Sequence, residues 1–303
     1  MQLDFHTLDV FSETRFAGNP LAVVIGADAL DTERMQAIAR EFNLAETVFV
    51  LKAENPSHTA RMRIFTPVAE VPFAGHPTVG TAALLAELRM SGSAGEHDGL
   101  VVLEQKIGIV RVAVKLRAGR AAHAEFDAPK LPETGGDLPA TERLAAAFGL
   151  IPSEIGFENH RPTIFSAGLA FAFVPIASLA ALGRAAVHAQ HFAPVFAGAV
   201  PGLVYLYTRQ SVHTSSSFHS RMFAPAFGVP EDPATGSAAA ALAGVIHRFD
   251  ALPDGTHRRT IEQGFEMGRP SYISLALQIS RGRLESVRIG GDAVRVTTGQ
   301  LTC

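Results

Sequence analysis

The feature that most constrains the fold is a pattern that occurs twice, once in each half of the chain. The two copies read RIFTPVAEVPFAGHPTVGTAALLA, at 63–86, and RMFAPAFGVPEDPATGSAAAALA, at 221–243. Each copy predicts a strand, a turn, and a Gly-Thr or Gly-Ser step into an alanine-rich helix. The match is short, so chance is an alternative, but the same order of strands and helices surrounds both copies and favours duplication. Duplication predicts two similar domains that face each other across a cleft.

The two predicted helix starts are candidate anion sites. Aligned with a contraction of two residues after the Val-Pro step, the copies place His76 on Asp232 and Thr81 on Ser237. The first N–H groups of a helix are unpaired and lie at the positive end of its dipole, where they bind a carboxylate or stabilise an enolate. Two interpretations stay open. In one copy alone, Asp232, Thr235 and Ser237 are best explained as capping residues. As a facing pair, the helix starts would bring His76, Asp232 and Ser237 onto one small anionic substrate.

Glu46, in NLAETVFV, is the third candidate for chemistry. It follows a helical segment and precedes an apolar strand, where a carboxylate either caps a helix, is solvated, or does acid–base work in an apolar cleft. The loop FAGNP would place Gly18 and Asn19 beside it, although Gly-Asn-Pro is also an ordinary turn.

Composition limits the class of protein and its partners. The chain has 303 residues, of which 47% are hydrophobic and 18% charged, so it is expected to fold into about two globular domains. Its net charge of -3, with no run of basic residues, argues against nucleic acid and anionic membranes as partners. The single cysteine, Cys303, allows no internal disulfide and fits a reducing compartment. With no signal peptide in MQLDFHTLDVF, a cytoplasmic location is expected.

Local patterns predict the segments between these motifs. An uncharged stretch at 164–183 is long enough to suggest a membrane span, but Pro175 divides it, which favours a buried strand followed by a short helix. The Pro- and Gly-rich segment at 127–140 is the best linker candidate. We therefore expect domains at 1–130 and 131–303, with the last strand free to pair back with the first domain.

Three further details are predicted from turn and cap signals. A helix with Asp31 or Thr32 as its N-cap is expected to stop near Asn43. A hairpin is expected to turn at 106–108, and a second hairpin to turn at Gly290-Gly291.

Several familiar sites are excluded by the motifs themselves. GHPTVGTA spaces Gly75 and Gly80 as a phosphate-binding loop would, but no Gly-Lys-Ser/Thr follows. The sequence has no G-x-G-x-x-G opening a βαβ unit, no G-x-S-x-G, and no H-E-x-x-H, so no metal site is expected. His213 and His219, which flank the loop TSSSF, are expected to be solvated.

Four motifs in this order resemble the PhzF family of phenazine-biosynthesis isomerase-like proteins. They lie in DVFSETRFAGNPLAVV, NLAETVFV, RIFTPVAEVPFAGHPTVGTAALL and RMFAPAFGVPEDPATGSAAAALAG, and the resemblance runs on to the closing GGDAVRV. It implies an α/β (α+β) fold similar to diaminopimelate epimerase. That fold has two similar, pseudo-symmetric lobes, each a curved, mostly antiparallel sheet wrapped around a central helix, with the site between them.

The resemblance also implies a mechanism. Diaminopimelate epimerases and proline racemases use two cysteines as acid and base, which this chain with its one terminal cysteine cannot supply. Phenazine isomerases use a Glu and no metal or organic cofactor. Carried over by motif, Glu46 is the expected proton shuttle, with His76, Asp232 and Ser237 completing the catalytic set. The residues expected to bind the substrate are Gly75, Gly236, Asn19 and Thr81.

The expected reaction is a proton shift in a small cyclic carboxylic acid, similar to the isomerisation of trans-2,3-dihydro-3-hydroxyanthranilate. The alternatives are an isomerase or epimerase acting on another amino-acid-like carboxylate, and a non-catalytic binding protein on the same fold. A small carboxylate is the expected partner, with no nucleic acid and no membrane, and the family resemblance implies a homodimer.

Overall fold

A computed structural model describes residues 1–90, 95–196 and 201–303. The chain divides into two compact units, of which unit 1 comprises Met1–Asp127 and Gly290–Cys303, and unit 2 comprises Ala128–Ile289. The second unit is therefore inserted between the body of the first unit and that unit's last strand.

Unit 1 is a strand-rich layer around one buried helix. Its strands are β1 (Gln2–Val10), β2 (Asn19–Ile25), β3 (Glu46–Leu51), β4 (Ala60–Phe65), β5 (Glu70–Val71), β6 (His97–Gln105), β7 (Gly108–Leu116), β8 (Ala122–Asp127) and the last part of β17 (Arg283–Thr302). Its helices are α1 (Thr32–Phe42) and α2 (Gly75–Met90), with a 3-10 turn at Ala27–Ala29. Helix α2 contacts β1, β2, β3, β6, β7 and β8 and is buried over most of its first ten residues. It is the central helix that the duplicated pattern predicts.

Unit 2 has the same kinds of element. Its strands are β9 (Glu133–Thr134), β10 (Thr163–Ser166), β11 (Ala170–Pro175), β12 (Val204–Thr208), β13 (Phe218–Ala224), β14 (Val229–Asp232), β15 (Gly255–Gln263), β16 (Ser271–Ser280) and the first part of β17. Its helices are α3 (Thr141–Ala147), α4 (Leu179–Arg184), α5 (Ala189–Phe196) and α6 (Gly236–Phe249), with 3-10 turns at Pro152–Glu154 and Pro225–Phe227. Helix α6 is almost wholly buried and contacts β9, β10, β11 and β16.

The two units share one order of strand pairing. In unit 1, β1–β2 is antiparallel, β2–β3 parallel, β3–β4 and β4–β5 antiparallel, β4–β6 parallel, and β6–β7 antiparallel. In unit 2 the pairs β10–β11, β11–β12, β12–β13, β13–β14, β13–β15 and β15–β16 repeat that sequence of orientations. The central helices α2 and α6 follow β5 and β14, which are matched strands. The expectation of an α/β fold with two similar lobes is therefore confirmed.

The predicted helix at 31–43 shows how local signals fix an element. Asp31 is its N-cap, and its side chain accepts a hydrogen bond from the Arg34 N–H at 2.8 Å. Asn43 ends the helix in the left-handed conformation, with φ at 51°. The hairpin predicted to turn at 106–108 is also present, as β6 and β7.

The second predicted hairpin turn is wrong. Gly290 and Gly291 lie inside β17, a single strand of 20 residues. Glycine is needed at 290 for a different reason, because a Cβ there would lie 2.6 Å from Glu125 Cβ and 2.8 Å from the Ala124 carbonyl oxygen. The glycine pair marks a close approach of two strands instead of a turn.

The uncharged stretch at 164–183 forms β10, β11 and the start of α4. Within the described ranges, no helix is both long and apolar enough to cross a membrane. Pro175, which divided the stretch in the sequence, is the last residue of β11.

Candidate active site

Unit 1 brings two of the sequence-predicted residues into contact at one end of its strands. Glu46 is the first residue of β3, and His76 is the second residue of α2. His76 Nε2 lies 3.4 Å from Glu46 Oε2. The imidazole is buried, whereas the Glu46 side chain is 19% exposed. Glu46 can therefore reach a ligand from a position beside a buried imidazole.

The contact is a carboxylate against a neutral imidazole, although its distance would also fit an ion pair. Burial lowers the pKa of His76 from 6.5 to about 3, because removing the imidazolium from water is costly. The start of α2 adds a positive potential that also disfavours a second proton. His76 Nε2 has no hydrogen-bond partner of good geometry among the described residues. The imidazole therefore adds no charge to this pair.

Hydrogen bonds to the side chain of Thr78 fix the first turn of α2. Thr78 Oγ1 donates to the Ala74 carbonyl oxygen at 2.8 Å, and Gln105 Nε2 donates to Thr78 Oγ1 at 3.0 Å. Pro77 has no N–H, so the helix start presents the main-chain N–H groups of Gly75 and His76. Gly75 and His76, both predicted from the sequence, thus begin a helix whose first N–H groups can bind an anion.

Asn19 lies at the same end of the sheet as Glu46, where β2 and β3 both begin. It is the first residue of β2 and is fully buried, and β2 runs parallel to β3 with Leu21 opposite Glu46. Gly18 precedes it with φ at 64°, and a Cβ there would lie in contact with the Val10 carbonyl oxygen. The Gly-Asn-Pro motif is therefore a specific strand entry beside Glu46.

In unit 2, Asp232 is part of a buried polar network at the start of α6. Thr235 Oγ1 donates to Asp232 Oδ2 at 2.5 Å. Gln263 Nε2 donates to the Asp232 carbonyl oxygen and to Thr235 Oγ1, at 2.8 and 2.9 Å. Gln263 Oε1 accepts the Thr235 N–H and the Tyr205 hydroxyl, both at 3.2 Å. Burial, and then the negative charge of Asp232, raise the pKa of Tyr205, so its hydroxyl stays protonated.

Gln263 and Tyr205 were missed in the sequence. Their side chains fix the conformation of the loop that leads from Asp232 to Gly236, the first residue of α6. Ser237 follows in the first turn and is partly buried. Gln263 ends a strand far along the chain, and only its pairing with Asp232 and Thr235 reveals it.

The structure corrects the alignment of the duplicated pattern. Arg63 donates from Nε and one terminal nitrogen to both oxygens of Glu70, at 2.8 and 2.9 Å. Arg221 makes the same two bonds to Glu231, at 2.8 Å each. In each unit the guanidinium also lies about 5 Å from the ring of the Phe two residues on, at 5.1 and 4.8 Å. The glutamates are therefore the matched positions.

Counting from the matched glutamates removes the two-residue contraction. Gly75 then corresponds to Gly236 and His76 to Ser237, and these are the residues at which α2 and α6 begin. The alignment that placed His76 on Asp232 is wrong. The sequence misled because the connection between β13 and β14 in unit 2 holds an extra 3-10 turn, which shifts the Val-Pro steps out of register.

Thr81 does not lie at a helix start. It is in the second turn of α2 and fully buried, and its hydroxyl has no hydrogen-bond partner among the described residues. In this position it offers no surface to a ligand.

The strand register also shows which residue of unit 2 is equivalent in sequence order to Glu46. Thr47 pairs with Phe65 in β3–β4, and Val204 pairs with Phe223 in β12–β13. The counterpart of Glu46 is therefore Leu203. The carboxylate at this edge belongs to unit 1 alone.

His219 is not solvated, in contrast to the expectation. It is buried, with Nδ1 2.9 Å from Glu262 and Nε2 3.1 Å from Glu266. The two carboxylates raise the pKa of its imidazole against the opposing effect of burial, which is the largest single contribution. No group of three or more His, Cys, Asp or Glu side chains in the described part of the chain is arranged to hold a metal ion.

A family model described as "Phenazine biosynthesis-like protein" matches residues 8–299. A protein of Mesorhizobium japonicum named an uncharacterized isomerase is 53% identical over 299 residues, covering 97% of this chain and 96% of its own. The trans-2,3-dihydro-3-hydroxyanthranilate isomerase of Pseudomonas aeruginosa is 36% identical over 293 residues, covering 97% of each.

Solved structures show the same likeness. A PhzF-family phenazine biosynthesis protein of Bacillus anthracis superposes with a TM-score of 0.88 at 25% identity, over 100% of both chains. A probable proline racemase of Agrobacterium radiobacter, 12% identical, has a TM-score of 0.65 over 99% of this chain and 93% of its own. The second likeness shows that the fold is shared with the racemases.

Proposed function

The chain belongs to the family of phenazine biosynthesis-like proteins, which are isomerases, and we propose that its reaction moves a proton between two carbon atoms of a small cyclic carboxylic acid. The observation that carries the proposal is the partly exposed Glu46 carboxylate beside a neutral His76 at the start of α2. A carboxylate in this setting can take a proton from carbon and give it back.

In the proposed reaction, Glu46 removes a proton from an allylic carbon of the substrate. The electron pair left behind spreads into the conjugated system and its carboxylate. Main-chain N–H groups of Gly75 and His76, at the start of α2, would stabilise that negative charge. The protonated Glu46 then returns the proton at another carbon, so charge and atoms balance without a cofactor.

His76 contributes as an uncharged hydrogen-bond partner. Because its pKa lies near 3, it neither competes with Glu46 for the proton nor neutralises its charge. We propose that Asn19, at the start of β2 beside β3, orients the substrate. Asp232 and Ser237, at the start of α6, stay predictions from the family resemblance.

The single carboxylate favours isomerisation over epimerisation. Inverting a carbon centre requires one group to remove a proton from one face and another to deliver a proton to the opposite face. In unit 1, Glu46 lies beside an imidazole that burial keeps unprotonated, so that imidazole has no proton to deliver as an imidazolium. A single carboxylate suits a transfer in which the same group takes and returns the proton.

The substrate we propose is trans-2,3-dihydro-3-hydroxyanthranilate or a cyclic acid similar to it. The support is the 36% identity to the isomerase of that name. A different amino-acid-like carboxylate is the second candidate, since the 53% identical relative is an isomerase named without a substrate.

Glu46→Gln tests the assignment. In D2O, the wild-type protein should convert trans-2,3-dihydro-3-hydroxyanthranilate (the dihydro acid) and exchange substrate hydrogen with solvent deuterium. We expect Glu46→Gln to lose both activities by at least about a hundredfold, the usual contribution of a general base. Glu41→Gln, an exposed carboxylate on α1, is the matched control and should leave both unchanged. Turnover that survives in Glu46→Gln would show that another group moves the proton. If the wild-type protein does not convert the dihydro acid, a panel of cyclic amino and hydroxy acids identifies the substrate.

A further inference from the structure

A loop at the end of the sheet where Glu46 begins β3 presents an aromatic side chain to solvent. The loop, at 11–18, joins β1 to β2, and Val10 and Asn19 pair across its base. Since β2 and β3 are parallel and both begin at this edge, the loop lies at the end of the sheet where Glu46 begins β3. Its tip carries Phe16, whose surface is 74% exposed.

The loop is held in one conformation by several hydrogen bonds. The Phe16 N–H donates to Asp9 Oδ2 at 2.5 Å, and Ser12 Oγ accepts from the Thr14 N–H at 3.0 Å. Arg15 Nε donates to the Arg295 carbonyl oxygen on β17 at 2.9 Å. The position of Phe16 is therefore set by the fold.

That conformation is unfavourable for an aromatic residue. Phe16 has φ at 67°, in the left-handed region that residues with a Cβ seldom occupy. Phe11, at the other end of the loop, has φ at 65° but is fully buried, so packing compensates for its strain. Phe16 has no such compensation within unit 1. Backbone strain of this kind concentrates at ligand clamps.

A second exposed apolar side chain lies at the same edge. Val68 is 81% exposed in the loop that follows β4, and β4 ends beside the start of β3, with Phe65 opposite Thr47. Thr66 Oγ1 accepts the N–H groups of Val68 and Ala69 at 3.3 and 3.0 Å, which fixes that loop as well. Two hydrogen-bonded loops thus present apolar side chains at the end of the sheet where Glu46 begins β3.

We propose that Phe16 is a specificity-determining residue that stacks on the unsaturated ring of the substrate, with Val68 as a second apolar contact. The proposal rests on the proposed function, because it takes Glu46 as the group that faces the substrate. It narrows the substrate class to unsaturated cyclic carboxylates and disfavours acyclic ones. An aromatic ring stacks on another unsaturated ring, and a hydrogen-bonding group at this tip would not select for one.

Binding measurements test this without any proton transfer. The probes are 2-aminobenzoate, which is planar and fluorescent, and hexanoate, an acyclic acid that is titrated calorimetrically. The chain has no tryptophan, so 2-aminobenzoate emission can be followed without interference from indole. The wild-type protein should bind 2-aminobenzoate more tightly than hexanoate.

The deciding variant is Phe16→Gly. Glycine relieves the strain at φ 67°, so the unfolding free energy should stay the same or rise. Affinity for 2-aminobenzoate should fall on the order of 10-fold, the effect of losing one aromatic contact, while affinity for hexanoate changes less than about twofold. Phe16→Tyr should restore the ring affinity. Leu100→Ala, a 60% exposed apolar side chain on β6, is the matched control and should change neither affinity.

Three results would overturn the proposal: no binding of 2-aminobenzoate by the wild-type protein, unchanged affinity in Phe16→Gly, or an equal loss for both probes. Each is independent of the Glu46→Gln experiment. A failed proton-transfer test would leave the selectivity of binding measurable, and failed selectivity would leave the proton transfer intact.

Discussion

Burial decides the charge of His76, and so decides what kind of active site Glu46 can have. A protonated imidazole at 3.4 Å would hold Glu46 in an ion pair and weaken it as a base. The lowered pKa removes that charge and leaves the carboxylate to act on the substrate. The same burial makes the stability of the protein depend on pH. The His76 imidazole stays neutral in the folded state, whereas in the unfolded chain it takes up a proton below its ordinary pKa.

His76→Asn should therefore change how stability depends on pH. Between pH 6.5 and about pH 3, the unfolded chain binds a proton at His76 that the folded chain does not, so stability falls as pH falls. The contribution approaches about 1.4 kcal/mol per pH unit within that window. Urea unfolding of the wild type between pH 6 and pH 4 should be steeper in pH than that of His76→Asn by an amount of this order. Equal slopes would mean that His76 is charged in the folded protein.

Single residues also show how far the sequence could predict the site. Glu46 and His76 could be found because each stands next to a pattern that marks the end of an element. Gln263 and the burial of His219 could not, because both depend on partners brought together by strand pairing: Asp232 for Gln263, and Glu262 for His219. A polar residue in a strand carries no local sign of the contact it will make.

At the scale of elements, each unit uses the same device to set its central helix. An arginine, on β4 in unit 1 and on β13 in unit 2, makes two hydrogen bonds to a glutamate on the next strand, and the helix begins five residues after that glutamate. Arg63 holds the pKa of Glu70 below its usual range, which shows that the pair stays ionised. Because only four residues separate the glutamate from the helix, the pair fixes where the first N–H groups lie.

Arg63→Lys should therefore impair the reaction more than the fold. Lysine keeps the charge but cannot make the paired, planar contact to Glu70. We expect kcat to drop by about 10-fold with KM and the thermal midpoint little changed. Arg61→Lys is the matched control, since Arg61 lies on the same strand and pairs with the exposed Glu54. Equal effects of the two substitutions would remove any special role from the Arg63–Glu70 pair.

At the scale of the whole molecule, the duplication could be predicted from the sequence, and the unbroken course of β17 through Gly290 and Gly291 could not. The repeated helix starts gave the two lobes, but the glycine pair at 290–291 pointed to a turn. In the structure, β17 continues through it, and Val10 to Gln2 of β1 pair with Ala293 to Thr302 along nearly their full length. Only a long-range pairing distinguishes a glycine of this kind from a turn glycine.

A chain that ends at Ile289 should lose unit 1 selectively. Removing the residues from Gly290 onward leaves one side of β1 without a partner and exposes the Leu8 and Val10 positions that are buried in the intact protein. Hydrogen exchange should show protection retained in α6 and β16 but lost in β1 and β2. Removal of Leu301–Cys303 alone is the milder control and should leave protection in β2. Full protection of β1 in the longer truncation would contradict this role for β17.

The pairing of β1 with β17 also bears on how the protein is made. Strand β1 finds its partner in β17 only after about 290 further residues have been translated. At a synthesis rate of about 5–20 residues per second, this wait lasts on the order of tens of seconds. Unit 2 is contiguous and can finish folding during this time, whereas the first-made lobe must wait with an open strand edge. The order of synthesis and the order of folding are therefore reversed, and the carboxylate that we propose moves the proton belongs to the lobe that is completed last.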